Sequence, residues 1–291
     1  MPAADAGIPE PACKLLAGGI ASACAKTALA PMERIKLILQ TSGEFSGPRH
    51  ALASVLAEQG VGSLWRGNLA NLARIVPTYA LRFAFHDWYR SVAAGGPLAP
   101  GQKLSLVQEL VAGALSGATV CVATHPLDLV RTTLAVRGHD RGEGVIGTCR
   151  HLVRVHGITG PYRGLFISLI EIAPYTALSL GGYQYLKLLG GLGDSQRSRL
   201  CSSWVAGLCA SVICYPLDSL KRRLMVDSVK RVEDSVYKGS IAACVRKTLA
   251  EEGVQVLYRG CLLNAFKSAP AFALTATLND ALKASMCGIV Q

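Results

Sequence analysis

The sequence lacks several features that mark common protein classes. Only 17% of its 291 residues are charged and 51% are hydrophobic, whereas about a quarter of the residues in a typical soluble domain are charged. It also has no window of about 20 uninterrupted apolar residues, which a simple spanning helix would show. Charges inside a spanning segment normally face a bundle interior or a water-filled cavity. The sequence therefore predicts a polytopic membrane protein with a polar interior.

Motifs for metal, redox and catalytic chemistry are missing as well. The 10 cysteines form no Cys-x-x-Cys pair and no Cys/His cluster with zinc spacing, so we interpret them as buried free thiols. The sequence shows no nucleophile–base pair and no Walker loop, and GGLGDS at 190–195 is interpreted as a glycine turn. We therefore expect neither an enzyme, nor a metal site, nor a cofactor.

The first residues and the net charge narrow the class further. MPAADAGIPEPACK resembles neither a secretory signal nor an Arg-rich presequence, which predicts an internal targeting signal. The net charge is +11. Basic loops on anionic lipid and a basic cavity for an anionic substrate both explain this excess. Nucleic-acid binding is not expected, because the chain is too apolar for a soluble basic face.

Two short motifs recur three times in a fixed order. The first reads APMERIK, HPLDLVR and YPLDSLK, beginning at positions 30, 125 and 215. The second ends in an aromatic-basic-glycine turn at 65–67, 162–164 and 258–260. Repetition at such intervals indicates three copies of one module. We predict a tail at 1–10 and repeats at 11–95, 96–192 and 193–291, which together form one transmembrane domain.

Each module contains two apolar segments separated by a polar stretch with a short amphipathic run. A proline inside a helix removes a backbone hydrogen bond and kinks it, so we expect kinks at Pro31, Pro126 and Pro216. Gly113 precedes its proline by 13 residues, but Gly207 precedes its proline by 9, which predicts a fifth segment that is a turn shorter or packed differently. The six predicted spans are 11–40, 68–92, 104–136, 165–190, 199–227 and 261–287.

Each of these prolines is followed by an acid and a base three residues apart. Such a pair shares one helix face, and an intrahelical contact worth roughly a few tenths of a kcal/mol would explain one copy. We favour a ring in which neighbouring helices pair and act as a gate, because charges at membrane depth need partners. The pairs are Glu33 and Lys36, Asp128 and Arg131, and Asp218 and Lys221.

These motifs resemble the mitochondrial carrier family, whose signature is Pro-x-[Asp/Glu]-x-x-[Lys/Arg] followed by an aromatic-basic-Gly block, three times over. The resemblance covers nearly the whole chain. It implies an all-α fold of six tilted transmembrane helices in three pseudo-symmetric repeats around a central cavity, with short matrix-side helices. It also implies the mitochondrial inner membrane, contact with cardiolipin, and either a monomer or a subunit of a larger membrane complex.

The resemblance also implies two gates that open alternately. The matrix gate would pair Glu33 with Arg131, Asp128 with Lys221 and Asp218 with Lys36, above a single brace at Gln40. The cytosolic gate is expected to be the weaker one, because a glutamine replaces one acid and only one aromatic brace remains. Its positions in this chain are Asp87, Arg90, Tyr183, Gln184, Lys187, Asp280 and Lys283.

The first module is most similar to the ADP/ATP-carrier branch of the family, in AKTALAPMERIKLILQ and in the text at 58–85. The resemblance implies an anionic nucleotide as substrate. Lys26 and Arg74 fall on phosphate-binding positions of that branch, with snorkelling cations as the alternative. Tyr175 falls on an adenine-stacking position, with ordinary packing as the alternative.

The later modules resemble carriers of coenzyme A and of ATP-Mg/phosphate. NAFKSAPAFAL at 264–274, with Lys267, is one example. Glu171 and Ile172 stand where adenine-nucleotide carriers usually have Gly-Ile. A carboxylate in a phosphate cavity needs a neighbouring cation, and Arg82 is the expected partner.

Three functions stay open at this point. They are adenine-nucleotide antiport with ADP/ATP exchange favoured, transport of coenzyme A, ATP-Mg/phosphate or another nucleotide cofactor, and a structural subunit without transport. The incomplete cytosolic gate favours the third function and the intact matrix ring speaks against it. The expected substrate contacts are Lys26, Arg74, Arg82, Glu171, Ile172, Tyr175, Lys221, Arg222 and Lys267.

Overall fold

The structure, a computed structural model, describes residues 10–97, 104–136, 144–189, 196–230, 235–237 and 240–287. Within these residues every regular element is helical, so the predicted all-α fold is confirmed. Nearly all of the predicted tail lies outside the described residues.

The three repeats build corresponding helices, except that the first long helix is divided in two in repeat 3. Repeat 1 contains α1 (Glu10–Thr41), α2 (Pro48–Gln59) and α3 (Asn68–Ala94). Repeat 2 contains α4 (Leu106–Val136), α5 (Val145–His156) and α6 (Leu165–Leu189). Repeat 3 contains α7 (Gln196–Ile213), α8 (Tyr215–Asp227), α9 (Ile241–Glu251) and α10 (Cys261–Cys287). A short 3-10 turn precedes α3, α6 and α10, at Val61–Trp65, Gly160–Tyr162 and Val254–Tyr258.

Two stretches, Leu106–Val136 and Gly160–Leu188, are long and apolar enough to cross a membrane by length and composition alone. A third qualifies if α7 and α8 count as one bent span. The other long helices carry more charge, as α1 does with Lys26, Glu33 and Lys36. These side chains are partly or fully buried in the bundle, which is where a membrane protein tolerates charge.

The fifth segment differs from its counterparts, as its glycine spacing predicts. Helices α1 and α4 run through Pro31 and Pro126 without interruption. In repeat 3 the helix breaks at Cys214, and α7 and α8 meet at 59°. The span is therefore bent next to Pro216, as predicted, and this proline lies in the first turn of α8, where its missing N–H is not needed.

The glycine of each aromatic-basic-glycine turn packs against the next repeat, and the third repeat packs against the first. All three glycines have φ between 78 and 84°, in the left-handed region that favours glycine. A Cβ atom built on each glycine would lie near the backbone carbonyl oxygen of a basic residue in the next repeat. The distances are 2.8 Å from Gly67 to Arg131, 3.9 Å from Gly164 to Lys221 and 3.3 Å from Gly260 to Lys36. The repeats thus form a closed ring.

The short helices and turns gather at one end of the bundle, which we call the short-helix end. Buried apolar clusters join neighbouring repeats there, as where Leu129 and Leu152 of repeat 2 pack with Met225 and Val229 of repeat 3. At the opposite end, which we call the far end, charged side chains of the even-numbered spans are more exposed. Asp87 of α3, for example, is 79% exposed.

Candidate functional site

Two of the three expected ring pairs are present towards the short-helix end. Glu33 of α1 contacts Arg131 of α4. Lys36 Nζ lies 3.1 Å from Asp218 Oδ2 of α8. All four side chains are largely buried, so water screens these pairs less than it screens surface pairs. Together the two pairs tie the first repeat to both of the others.

Gln40 lies beside the second pair, at the position expected for a brace. Its buried Nε2 donates to Asp218 Oδ2 at 3.0 Å and to Ser219 Oγ at 3.4 Å. The Ser219 hydroxyl in turn donates to the Leu257 carbonyl at 2.7 Å. The amide thus connects the ring carboxylate of α8 with the turn of the third repeat.

The expected third pair, Asp128 with Lys221, is wrong. Lys221 Nζ lies 2.7 Å from Glu171 Oε2 of α6, and Asp128 Oδ2 lies 3.0 Å from Arg222 Nη1. The physical reason is the adjacent pair of bases on α8. The planar guanidinium of Arg222 reaches both Asp128 and Thr132 Oγ1, at 2.7 Å for the latter. The amine of Lys221 is then drawn to the carboxylate on α6.

The expected partner of Glu171 is also corrected. The sequence suggested Arg82, but Glu171 is bonded to Lys221, and Arg82 is exposed. Glu171 pairs with Lys221, which lies within hydrogen-bonding distance, because Coulomb attraction falls with distance.

The three repeats place a charged residue at the same position, seven residues after the turn glycine: Arg74, Glu171 and Lys267. Lys267 Nζ lies 2.8 Å from Glu33 Oε1, Glu171 bonds Lys221, and Arg74 acts electrostatically on Asp128. Each therefore reaches the ring of the next repeat. All three are predicted site residues, but their equivalence between repeats was not predicted. The equal spacing from the turn glycine indicates this equivalence in the sequence.

Positive charge is in excess where these side chains meet. Lys26 lies within electrostatic reach of Arg74, Arg131 and Lys267, and of Glu33 as a carboxylate. Arg74 Nε is buried without a hydrogen-bond partner among the described residues. We call the set the charged layer: cations Lys26, Lys36, Arg74, Arg131, Lys221, Arg222 and Lys267, and carboxylates Glu33, Asp128, Glu171 and Asp218. Seven cations and four carboxylates leave an excess of three positive charges.

Two apolar candidates from α6 differ in their surroundings. Ile172 Cγ2 lies 3.0 Å from where a Cβ of Gly117 would be, so this side chain packs on α4, where small residues allow close helix approach. Tyr175 follows Glu171 by one helical turn, on the same face, and is 41% exposed. Its ring is therefore accessible next to the charged layer.

The cytosolic-gate candidates lie towards the far end. Asp87 is near His86 at 3.9 Å. Arg90 donates to Glu109 Oε1 of α4 at 2.8 and 3.1 Å, a partner that the sequence reading missed because Glu109 belongs to no repeated motif. Tyr183 and Gln184 are half-buried, Lys187 and Asp280 are exposed, and Lys283 lies outside the described side chains.

Two buried arginines, whose roles sequence reasoning missed, fix the short-helix end. Arg34 is 1% exposed and donates to the Ser63 carbonyl, to the Ala135 carbonyl at 2.8 Å, and to Gln59 Oε1 at 2.6 Å. One side chain thus joins α1, the first turn and α4. No periodicity signals this role, because repeats 2 and 3 have Leu129 and Ser219 at the equivalent position.

Arg223 has a comparable role between the third and first repeats. Its guanidinium donates to the Gln40 carbonyl at 2.9 Å and to both carboxylate oxygens of Glu252, at 2.5 and 2.9 Å. These hydrogen bonds hold the pKa of Glu252 below its usual range. The contact therefore stabilises the ionised carboxylate at neutral pH.

The charged layer suits a polyanion better than a metal. The described part of the chain has no group of three His, Cys, Asp or Glu side chains that could hold a metal ion. Lysine and arginine together offer point charges and planar forks, and both bind phosphate oxygens.

Comparisons with known proteins agree with this architecture. A profile described as "Mitochondrial carrier protein" matches residues 9–96, 102–191 and 194–289. ADP/ATP translocase 3 of Bos taurus is 36% identical over 288 residues, which covers 92% of this chain and 95% of the relative. The human ADP/ATP translocase 3 shows the same identity and coverage. The mitochondrial coenzyme A transporter SLC25A42 of Xenopus tropicalis is 33% identical over 275 residues, which covers 91% of this chain and 83% of the relative.

Proposed function

Since this chain belongs to the mitochondrial carrier family, we propose that it exchanges adenine nucleotides, with ADP and ATP favoured. As a family member it is a transporter and a multi-pass protein of the mitochondrial inner membrane. The two kinds of relative named above are translocases of ADP/ATP and a transporter of coenzyme A, and all of these substrates carry phosphate groups. Identity near one third leaves the substrate to be argued from this chain's own residues.

The observation that carries the proposal is the excess of positive charge in the charged layer. Lys26 lies within electrostatic reach of three cations, Arg74, Arg131 and Lys267, against one carboxylate, Glu33, and the Nε–H of Arg74 is buried without a hydrogen-bond partner among the described residues. Buried cations and unpaired donors are costly. A polyphosphate would offset both costs, while the Tyr175 ring one turn beyond Glu171 is accessible for stacking on a purine.

The gates support exchange by alternating access. Towards the short-helix end, Glu33–Arg131, Lys36–Asp218 and Arg222–Asp128 hold the three repeats together. Towards the far end, Asp87 is exposed and Arg90 is held by Glu109. This pattern corresponds to a carrier that is closed on the matrix side and accepts substrate from the other side. A bound nucleotide would compete for the ring cations and so favour opening of the closed end.

Coenzyme A is the second candidate. The similarity to SLC25A42 favours it, and coenzyme A contains the same adenine and diphosphate groups that the charged layer would bind. A substrate panel separates the two.

The test is a thermal-shift panel on detergent-solubilised protein with ADP, ATP, coenzyme A, AMP, phosphate and a dicarboxylate, because a ligand that binds only folded protein raises the melting temperature. We expect shifts with ADP and ATP that are lost in Arg74→Ala and kept in Arg246→Ala, a matched loss of an exposed arginine on α9. Exchange of labelled ADP in proteoliposomes should follow the same order.

Other outcomes have equally clear meanings. A shift with coenzyme A alone would replace adenine-nucleotide exchange by coenzyme A transport. Cooperative melting without a shift for any ligand would overturn both and favour a structural subunit.

A further inference from the structure

We propose that Glu171 is a built-in counter-ion that competes with the substrate for Lys221 and thereby makes the site favour the less charged nucleotide. This inference rests on the proposed adenine-nucleotide exchange. In chemical terms, Glu171 selects nucleoside diphosphates over nucleoside triphosphates.

The position of Glu171 within the repeat is the first argument. Its two equivalents, Arg74 and Lys267, are cations. Lys267 neutralises the ring acid Glu33 of the following repeat. Glu171 does the reverse, because it neutralises the ring base Lys221 of the following repeat. The second repeat thus presents a carboxylate where the other two present a positive charge.

The geometry provides the second argument. Lys221 Nζ and Glu171 Oε2 lie 2.7 Å apart, and the side chains are only 12% and 17% exposed. A carboxylate oxygen at this distance occupies the place that a phosphate oxygen would take on the same amine. An incoming phosphate must therefore displace Glu171 or share Lys221 with it.

The ring tolerates this change of partner. Asp128, which the family pattern would give to Lys221, is already bonded by Arg222 at 3.0 Å. Lys221 also keeps Asp218 within 3.5 Å. Lys221 can therefore turn from Glu171 to a phosphate without leaving a ring carboxylate uncompensated. Because Arg222 and not Lys221 bonds Asp128, which the sequence did not predict, Lys221 is available to bind a substrate phosphate.

The charge balance of the charged layer then determines the preference for nucleoside diphosphates over triphosphates. With Glu171 ionised, the charged layer has an excess of three positive charges. Without this carboxylate the excess would be four. A nucleoside triphosphate carries one more negative charge than the diphosphate, so Glu171 disfavours the triphosphate more. At distances near 10 Å and an effective dielectric constant of 20 to 40, one extra charge pair changes the dissociation constant by a factor of about 4 to 16, so a change of about fivefold is at the low end of this range.

The experiment compares apparent dissociation constants of ADP and ATP by thermal-shift titration in detergent, in one series with a chelator and no magnesium and in a second series with magnesium. Glu171→Gln should strengthen ATP binding about fivefold more than ADP binding. Glu171→Asp keeps the charge and should keep the wild-type ratio. Glu251→Gln removes the same charge from an exposed site on α9, paired with Lys247 at 3.7 Å, and should also keep the ratio.

The outcomes separate this inference from the proposed function. An unchanged ATP:ADP ratio in a Glu171→Gln protein that still binds both nucleotides overturns the counter-ion and leaves nucleotide exchange standing. Absence of nucleotide binding in the wild type overturns both. Loss of ATP-Mg binding in Glu171→Gln, without a gain for free ATP, would make Glu171 a contact of the magnesium ion and also overturns the counter-ion.

A second pair of variants covers a Glu171→Gln protein that does not fold. Lys221→Gln and the double variant Glu171→Gln/Lys221→Gln differ by the same single carboxylate. The double variant should favour ATP over ADP about fivefold more than Lys221→Gln does, because the Glu171 carboxylate repels the additional phosphate charge of ATP whether or not Lys221 is present. Equal ratios in these two proteins overturn the proposal.

Discussion

Lys267 Nζ of α10 lies 2.8 Å from Glu33 Oε1 of α1, across 234 residues of sequence. The same carboxylate contacts Arg131 of α4. A single acid of the first repeat thus holds a cation from each of the other two repeats. The short-helix end is therefore stabilised by side chains that are shared between repeats, and changes in one repeat should be felt in the others.

The pair of Lys36 and Asp218 should respond to charge exchange. Lys36→Asp places a second carboxylate opposite Asp218, and like charges at this depth repel strongly. We expect the rate of nucleotide exchange in proteoliposomes to fall by more than about tenfold, which corresponds to an increase of roughly 1.4 kcal/mol in the activation free energy. The double variant Lys36→Asp/Asp218→Lys should recover part of the lost exchange, because coupled residues do not behave additively. A double variant as impaired as the sum of both single variants would show that the two side chains act independently.

Arg222 and Lys221 should differ in their effect on stability. Arg222→Ala leaves Asp128 without its hydrogen-bonded cation, and the two side chains are only 13% and 15% exposed. Breaking such a buried pair costs about 3–5 kcal/mol, so the melting temperature in detergent should fall clearly.

The control for this prediction is Arg222→Ala/Asp128→Asn, which removes the unpaired charge and should recover stability. If Lys221→Ala destabilised the protein and Arg222→Ala did not, the pairing implied by the family resemblance would be correct after all.

The turn glycines offer a matched pair of substitutions. Gly67 and Gly95 both have a φ of 78° and a left-handed backbone, so alanine is strained at either position by about 1–2 kcal/mol. At Gly67 a Cβ would also lie 2.8 Å from the Arg131 carbonyl oxygen, whereas at Gly95 it would meet nothing within 4 Å. We expect Gly67→Ala to lower the melting temperature clearly more than Gly95→Ala. Equal losses would mean that the turn does not press on the next repeat.

The Glu252–Arg223 contact predicts a pH dependence. Because the pKa of Glu252 is lower in the folded protein than in the unfolded chain, its contribution is present above the unfolded pKa near 4.3 and is lost as pH falls through the folded value. Glu252→Gln should destabilise the protein at pH 7, by about 1–3 kcal/mol for hydrogen bonds to a charged group. The difference from the wild type in thermal melts should shrink as the pH falls below about 4.

Its neighbour supplies the control. Glu251 is exposed and meets Lys247 at 3.7 Å, and surface pairs of this kind contribute little. Glu251→Gln should therefore leave the melting temperature nearly unchanged at every pH. A gap between wild type and Glu252→Gln that stayed constant down to about pH 3 would contradict the role of the carboxylate charge.

The architecture could be predicted because repetition constrains it. Two motifs at fixed spacing gave the number of repeats, and apolar length bounded by prolines and glycines gave spans close to the observed helices, such as 68–92 against Asn68–Ala94. The break at Cys214 was visible only as the shorter spacing between Gly207 and Pro216. The shorter spacing predicts that the fifth segment differs from its counterparts, but it does not predict that the helix bends by 59°.

The partners of the charged residues could be predicted only in part. Glu33 and Lys36 contact the residues that the family resemblance implies, since an acid and a base recur at the same positions of each repeat, and Gln40 lies where the resemblance implies the single brace. The motif could not decide between Lys221 and Arg222, because which of two adjacent bases reaches Asp128 depends on side-chain geometry. Glu109 has no repeated counterpart that would signal its contact with Arg90. The gate roles, the repeat boundaries, contact with cardiolipin and the oligomeric state stay predictions.

The packing of each turn glycine onto the next repeat, with the third returning to the first, has a topological consequence. In a closed ring of this kind each repeat packs against both of the others. These contacts therefore do not depend on which repeat comes first in the chain. The first and last helices run side by side, with Gly18 of α1 close to Asn279 of α10. A circular permutant that starts at α4, ends at α3 and joins α10 to α1 by a linker should therefore assemble the same bundle.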